Sequence, residues 1–119
     1  MTNDRSEARA ARAAVIYIDV DDTLVRSVGT KRIPMPHVVQ HVRDLHAAGA
    51  VLYLWSRGGD DYARTVANEL GIAHCFRSFL PKPTIIIDDE AFESWQFVRT
   101  IHPASCRDLR PEDYRDTRA

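Results

Sequence analysis

Val15-Ile16-Tyr17-Ile18-Asp19-Val20-Asp21-Asp22-Thr23-Leu24-Val25 is a β-branched, apolar run that ends abruptly in three carboxylates and a threonine. Its first half has the composition of a central strand covered on both faces. Ionised carboxylates cannot follow such a strand into a core, because a charge stripped of water and left unpaired is very costly. Asp19 and Asp21 are therefore expected at an edge, which in an open α/β sheet is the carboxyl end of the strand. The plainer alternative is an Asp-rich turn.

Working outward, two more apolar runs end on polar groups. Thr84-Ile85-Ile86-Ile87 stops at Asp88-Asp89, and Val51-Leu52-Tyr53-Leu54-Trp55 stops at Ser56-Arg57-Gly58-Gly59. If the three strands are parallel, all three endings share one rim. Acids converging from two strands would repel one another by several kcal/mol at low dielectric unless a cation sits among them. Oxygen-only ligands with water in the remaining positions suit Mg²⁺.

The order Asp19-x-Asp21-x-Thr23, then Ser56 after an apolar strand, then Lys82 ahead of Ile85-Ile86-Ile87-Asp88-Asp89, resembles the haloacid dehalogenase (HAD) superfamily. The motifs span about half the chain. Such a resemblance implies an α/β, Rossmann-like fold, a three-layer sandwich around a central parallel sheet of about five strands. Neither interval in which that family inserts a cap domain has room for one here, so a capless member is expected, its site open unless the flap or an oligomer partner covers it.

At 119 residues the chain has the length of one domain. Apolar residues make up 45% and charged residues 28%, an ordinary globular balance, and a formal charge of −1 leaves no electrostatic footprint for nucleic acid. Residues 1–13 read as a flexible leader, 14–106 as the catalytic domain and 107–119 as a charged C-terminal tail. The leader lacks the apolar stretch of a secretory signal or a membrane span, so a cytoplasmic location is the default expectation. Cys75 and Cys106 are too few for a disulfide framework. His102 and Cys106 share an H-x-x-x-C spacing and His74 adjoins Cys75, but spacing alone supplies no four-ligand zinc set.

The expected elements follow in order. A first strand covers about Ala14 to Asp19, and a short hairpin or irregular flap occupies Asp22 to Arg32. A helix begins near Pro36, with Val38, Val42 and Leu45 on one face and Gly49 after it. A second strand at Val51 to Trp55 leads to a helix on Tyr62, Val66 and Leu70 that Gly71 ends. Further strands are expected at Ile72 to Phe76, Thr84 to Asp88 and Phe97 to Ile101, with a helical turn over Ala91 to Trp95.

The resemblance implies a Mg²⁺-dependent phosphohydrolase, a phosphomonoester phosphatase acting through an aspartyl-phosphate. Asp19 would be the nucleophile and Asp21 the general acid and then base. Mg²⁺ would be held by Asp19, by the Asp21 carbonyl and by Asp88, with Asp89 as the alternative. Ser56 would donate to a phosphoryl oxygen, Thr23 would steady the loop, and Thr23, Arg57 and Gly58 would line the bound phosphate. The substrate is expected to be phosphorylated, of open class, with no membrane partner and no sign in the sequence of nucleic-acid binding, although a polynucleotide end stays among the bulky targets that an open site admits. A catalytically weak or inactive domain that binds a phosphorylated ligand or a protein is the alternative.

Lys82 departs from the family pattern. Only five residues separate it from Asp88, so on a straight strand of ~3.3 Å per residue it would start about 20 Å away, at the wrong end. Either the Pro81-Lys82-Pro83 segment bends back to the rim, or Arg57 serves as the phosphate-binding cation.

Overall fold

In the computed structural model, which describes residues 13–114, strand β1 (Val15–Asp19) pairs in parallel with β4 (Val51–Ser56), and β4 pairs in parallel with β5 (Ser78–Pro81). The sheet order is β1-β4-β5. Between β1 and β4 come an antiparallel hairpin, β2 (Val25–Val28) with β3 (Lys31–Pro34), and helix α1 (Pro36–Ala47). Helix α2 (Asp60–Glu69) links β4 to the turn before β5 and packs on both strands.

Each helix follows from its sequence. Pro36 occupies the first turn of α1, where its missing N–H is no loss, and Val38, Val42 and Leu45 line the buried face. On α2, Ala63, Val66 and Ala67 are buried, and Gly71 accepts a φ of 72° just beyond the helix end. The core joins these faces to Ile18, Leu52 and Leu54 of the sheet and to Val20, Leu24 and Ile72.

The expected three-layer sandwich around about five strands is not what forms. Two helices and three parallel strands, with the separate hairpin, make up the described architecture. Thr84–Asp88 is not a strand: Ile85 is 80% exposed and Ile87 97%. Pro81 and Pro83 bracket its approach, and proline lacks the N–H that a ladder needs. Ile72 to Phe76 contains a single 3₁₀ turn, Ala73–Cys75, and Phe97 to Ile101 is irregular. The third strand of the sheet lies between those stretches, at Ser78–Pro81.

β1 is consequently not covered on both faces. Val15 and Tyr17 are exposed, whereas Ile18, on the opposite face, is buried. Tyr17 packs on Tyr53 and Trp55 of β4, with ring centroids 5.0 and 4.8 Å away. The expected leader falls outside the described residues except for residue 13, as do residues 115–119 of the tail. Tyr114, within the stretch read as that tail, is buried and meets His41 Nε2 with its hydroxyl at 2.8 Å.

Candidate functional site

Asp19 closes β1 at the carboxyl rim of the sheet. Immediately after it, fully buried Val20 plugs the core, and its carbonyl accepts from the N–H groups of Thr23, Leu24 and Val25 at 3.3, 2.9 and 3.3 Å. Curling the chain this tightly places Asp22 at φ 59°, a left-handed conformation that Asp tolerates better than most residues. The curl carries Thr23 back toward the strand end, where its hydroxyl lies 3.4 Å from Asp19 Oδ2.

The other Asp19 oxygen meets Lys82. Its Nζ stands 3.2 Å from Oδ1 and 5.9 Å from the centre of the Trp55 ring. The straight-strand estimate fails because the strand next to β4 ends at Pro81 and does not run to Asp88. Lys82 is then the first residue past the carboxyl end of β5, with its N–H bonded to the Ser56 carbonyl at 3.0 Å. Arg57 is exposed and makes no hydrogen bond or ion pair among the described residues.

Ser56 ends β4 with its side chain buried, and its Oγ accepts from the Gly58 N–H at 3.0 Å. The hydroxyl proton is left to donate elsewhere. Gly58 has no room for a side chain: an added Cβ would lie 2.9 Å from the Tyr62 ring. Gly59, at φ 101°, then opens α2 without a side-chain cap. Asp60 accepts from the Asp61 N–H, and both aspartates lie in the first turn of the helix.

Asp21 is held from α2. The Tyr62 hydroxyl donates to Asp21 Oδ1 at 2.6 Å, and partial burial together with that bond pushes the phenol up to about 12. Arg32, on the hairpin, lies with its guanidinium 5.6 Å over the same ring and makes a two-pronged bridge to Glu69, 3.1 and 2.6 Å. The bridge raises Arg32 and lowers Glu69, each chiefly through their mutual hydrogen bonds. Tyr62 reads in the sequence as an apolar helix position, and only its polar tip signals this second role.

A groove of about 1540 Å³ runs from the rim along β1, lined by Asp19, Thr23, Trp55, Lys82 and Asp88 among others. Asp88 accepts from the Glu90 N–H at 2.9 Å, and Asp89 is exposed and does not line the groove. Asp19, Thr23, Ser56 and Lys82 are thus brought to one rim, with Asp21 beside it. Among the described residues the rim aspartates do not gather within 4.8 Å as a ready set of three ligands, whereas His46, His74 and Cys75 do. His102 has its Nδ1 engaged by the Ala104 N–H.

No helix among the described residues is long and apolar enough to cross a membrane. No curated protein and no solved structure matches the chain. The model of a family described as a protein of unknown function (DUF705) matches residues 3–91, well over half the chain, and the chain belongs to that family.

Proposed function

We propose that the rim is the active site of a Mg²⁺-dependent phosphomonoester hydrolase, as the HAD-like motif order implies. The observation that carries the reading is the ammonium of Lys82 at 3.2 Å from Asp19, reaching from just past the end of β5 across the end of β4, where Ser56 sits between the two. A cation and a carboxylate so placed are what an anionic nucleophile needs in order to meet an anionic phosphate.

In this reading an Asp19 oxygen attacks phosphorus, the bond from phosphorus to the leaving oxygen breaks, and Asp21 gives that oxygen its proton. Water then attacks the phosphorus of the aspartyl-phosphate, losing a proton to Asp21, and the Asp19–phosphorus bond breaks to release phosphate. Lys82 turns from Asp19 to the phosphoryl oxygens, and the Ser56 hydroxyl donates to one of them. Tyr62 bonds one Asp21 oxygen and leaves the other to carry the proton. The all-oxygen donors suit Mg²⁺, and Asp88 borders the same groove as Asp19. Asp19, the Asp21 carbonyl and Asp88 would hold the ion, which when bound neutralises phosphate charge.

One feature favours the alternative, a weak or inactive domain that binds a phosphorylated ligand. The Tyr62 hydroxyl ties Asp21 Oδ1 to α2 at 2.6 Å, so only one Asp21 oxygen is left to serve a phosphate at the Asp19–Lys82 pair. The deciding experiment is a screen of phosphorylated compounds with and without Mg²⁺, on the wild type and Asp19→Asn. Hydrolysis that needs Mg²⁺ and disappears in Asp19→Asn is expected. Binding without turnover would favour the alternative, and turnover retained in Asp19→Asn would sink the mechanism.

A further inference from the structure

At the opposite end of the sheet, where the chain enters its strands, a second constellation forms from residues far apart in sequence. His46 lies in the last turn of α1, ahead of β4, and His74 and Cys75 lie in the 3₁₀ turn ahead of β5. One ligand atom from each falls within 4.8 Å of the others. The His46 and His74 rings meet edge to face with centroids 5.6 Å apart, and Cys75 Sγ is 3.6 Å from His74 Nε2.

That last distance is informative. An ion bonded to nitrogen at about 2.0–2.1 Å and to sulfur at about 2.3 Å, in tetrahedral geometry, holds the two ligand atoms about 3.5 Å apart. The His74–Cys75 pair already stands at that separation. His46 is exposed, so its ring is free to close the remaining distance, and the carbonyl end of α1 contributes a favourable negative field. Neighbours in sequence alone supply only two ligands; the packing of α1 beside the 3₁₀ turn supplies the third.

We propose that His46, His74 and Cys75 bind one divalent transition-metal ion of borderline softness, Zn²⁺ being the type, with water in the fourth position. Two imidazoles and a thiolate select such an ion over Mg²⁺ or Ca²⁺, which prefer oxygen. Coordination exchanges the Cys75 S–H proton for the metal and releases that proton to solvent. The ion would link the end of α1 to the entry of β5 and, with its fourth position open to water, would be independent of the phosphate chemistry at the other rim.

The test uses the full chain, freed of metal by chelation and titrated with Co²⁺ and then Zn²⁺. One equivalent of Co²⁺ should produce a thiolate-to-metal charge-transfer absorption that Zn²⁺ abolishes, and Zn²⁺ should raise the melting temperature. Cys75→Ala should lose the absorption. His46→Ala, at an exposed position that the fold does not need, should weaken binding by more than the roughly 10–100-fold that an outer-sphere contact is worth. No thiolate band in the wild type, a band that survives in Cys75→Ala, or unchanged affinity in His46→Ala would each overturn the proposal. Should Cys75→Ala fail to fold, the near-isosteric Cys75→Ser takes its place, with the same loss of the band expected because a hydroxyl supplies no thiolate.

Discussion

Lys82 reaches Asp19 because its backbone is tied to Ser56, the last residue of the neighbouring strand. Under the proposed chemistry, removing a cation that touches the transferring phosphoryl group lowers kcat by roughly 10²–10³. Lys82→Ala is expected to show that loss in steady-state kinetics. Arg57→Ala, which removes an exposed group lacking any hydrogen bond or ion pair in the described residues, is expected to leave kcat close to wild type; the reverse pattern would transfer the role to Arg57. Tyr62 offers a second measurement. Folded Tyr62 holds its proton up to about 12 against an ordinary 10.0. Its contribution to stability is therefore complete below pH 10 and is lost as pH rises from there through 12. Burial raises the Tyr114 phenol as well, and further, so of the two late phenols followed by phenolate absorbance the earlier one should vanish in Tyr62→Phe and the later one should stay. Asp19 and Ser56 were legible as residues because strand ends advertise themselves by an abrupt change of polarity, whereas Lys82 entered only through the motif order, since the strand that delivers it was not read. The partner of Asp21 was not, since nothing local to Asp21 points to a tyrosine 41 positions on.

Among the elements, both helices, the first two strands of the sheet and a hairpin as one of two readings of the flap could be read from periodicity and punctuation, but the third strand could not. Three isoleucines in a row say that a segment is apolar and β-prone, not that a neighbour exists to bury it. Ser78–Pro81 carries a weaker apolar pattern, yet it becomes the strand because the Arg77 N–H bonds the Leu52 carbonyl and sets the parallel register with β4. Long-range pairing of this kind overrides local propensity. The turn from β4 into α2 depends on a missing side chain. Gly58→Ala would drive a methyl to 2.9 Å from the Tyr62 ring and 3.4 Å from Ser56 Oγ. A cost of about 1–3 kcal/mol is expected, as for other overpacked sites, measured by denaturant unfolding. Because relief requires Tyr62 to shift, the late-titrating phenol should move toward its ordinary value in the same variant.

For the molecule as a whole, the joint between α1 and the C-terminal segment sets the response to acid. His41 is buried against Tyr114, and burial is the main reason its imidazole is held below the ordinary 6.5. The folded chain binds that proton less readily than the unfolded chain, so the stabilisation is present in full above pH 6.5 and falls away as pH drops below it. Melting temperatures recorded across pH 5 to 8 should show this decline, and His41→Phe should flatten it. Divalent metal gives a second global readout. If Mg²⁺ binds the rim, a concentration of 100 times Kd stabilises the fold by ~2.7 kcal/mol. Identical melts in chelator and in millimolar Mg²⁺ would count against a formed rim site.

The strand order β1-β4-β5 also has a consequence for how the chain is made. Each parallel strand lies beside the next one to be synthesised, so a nascent chain can lay down the sheet in the order of translation, always adding to the newest edge. Asp19 emerges first, then Ser56, and Lys82 last. A ribosome-bound chain arrested before Ser78 would carry Asp19 without its counter-charge, and one arrested after Lys82 has emerged would hold both.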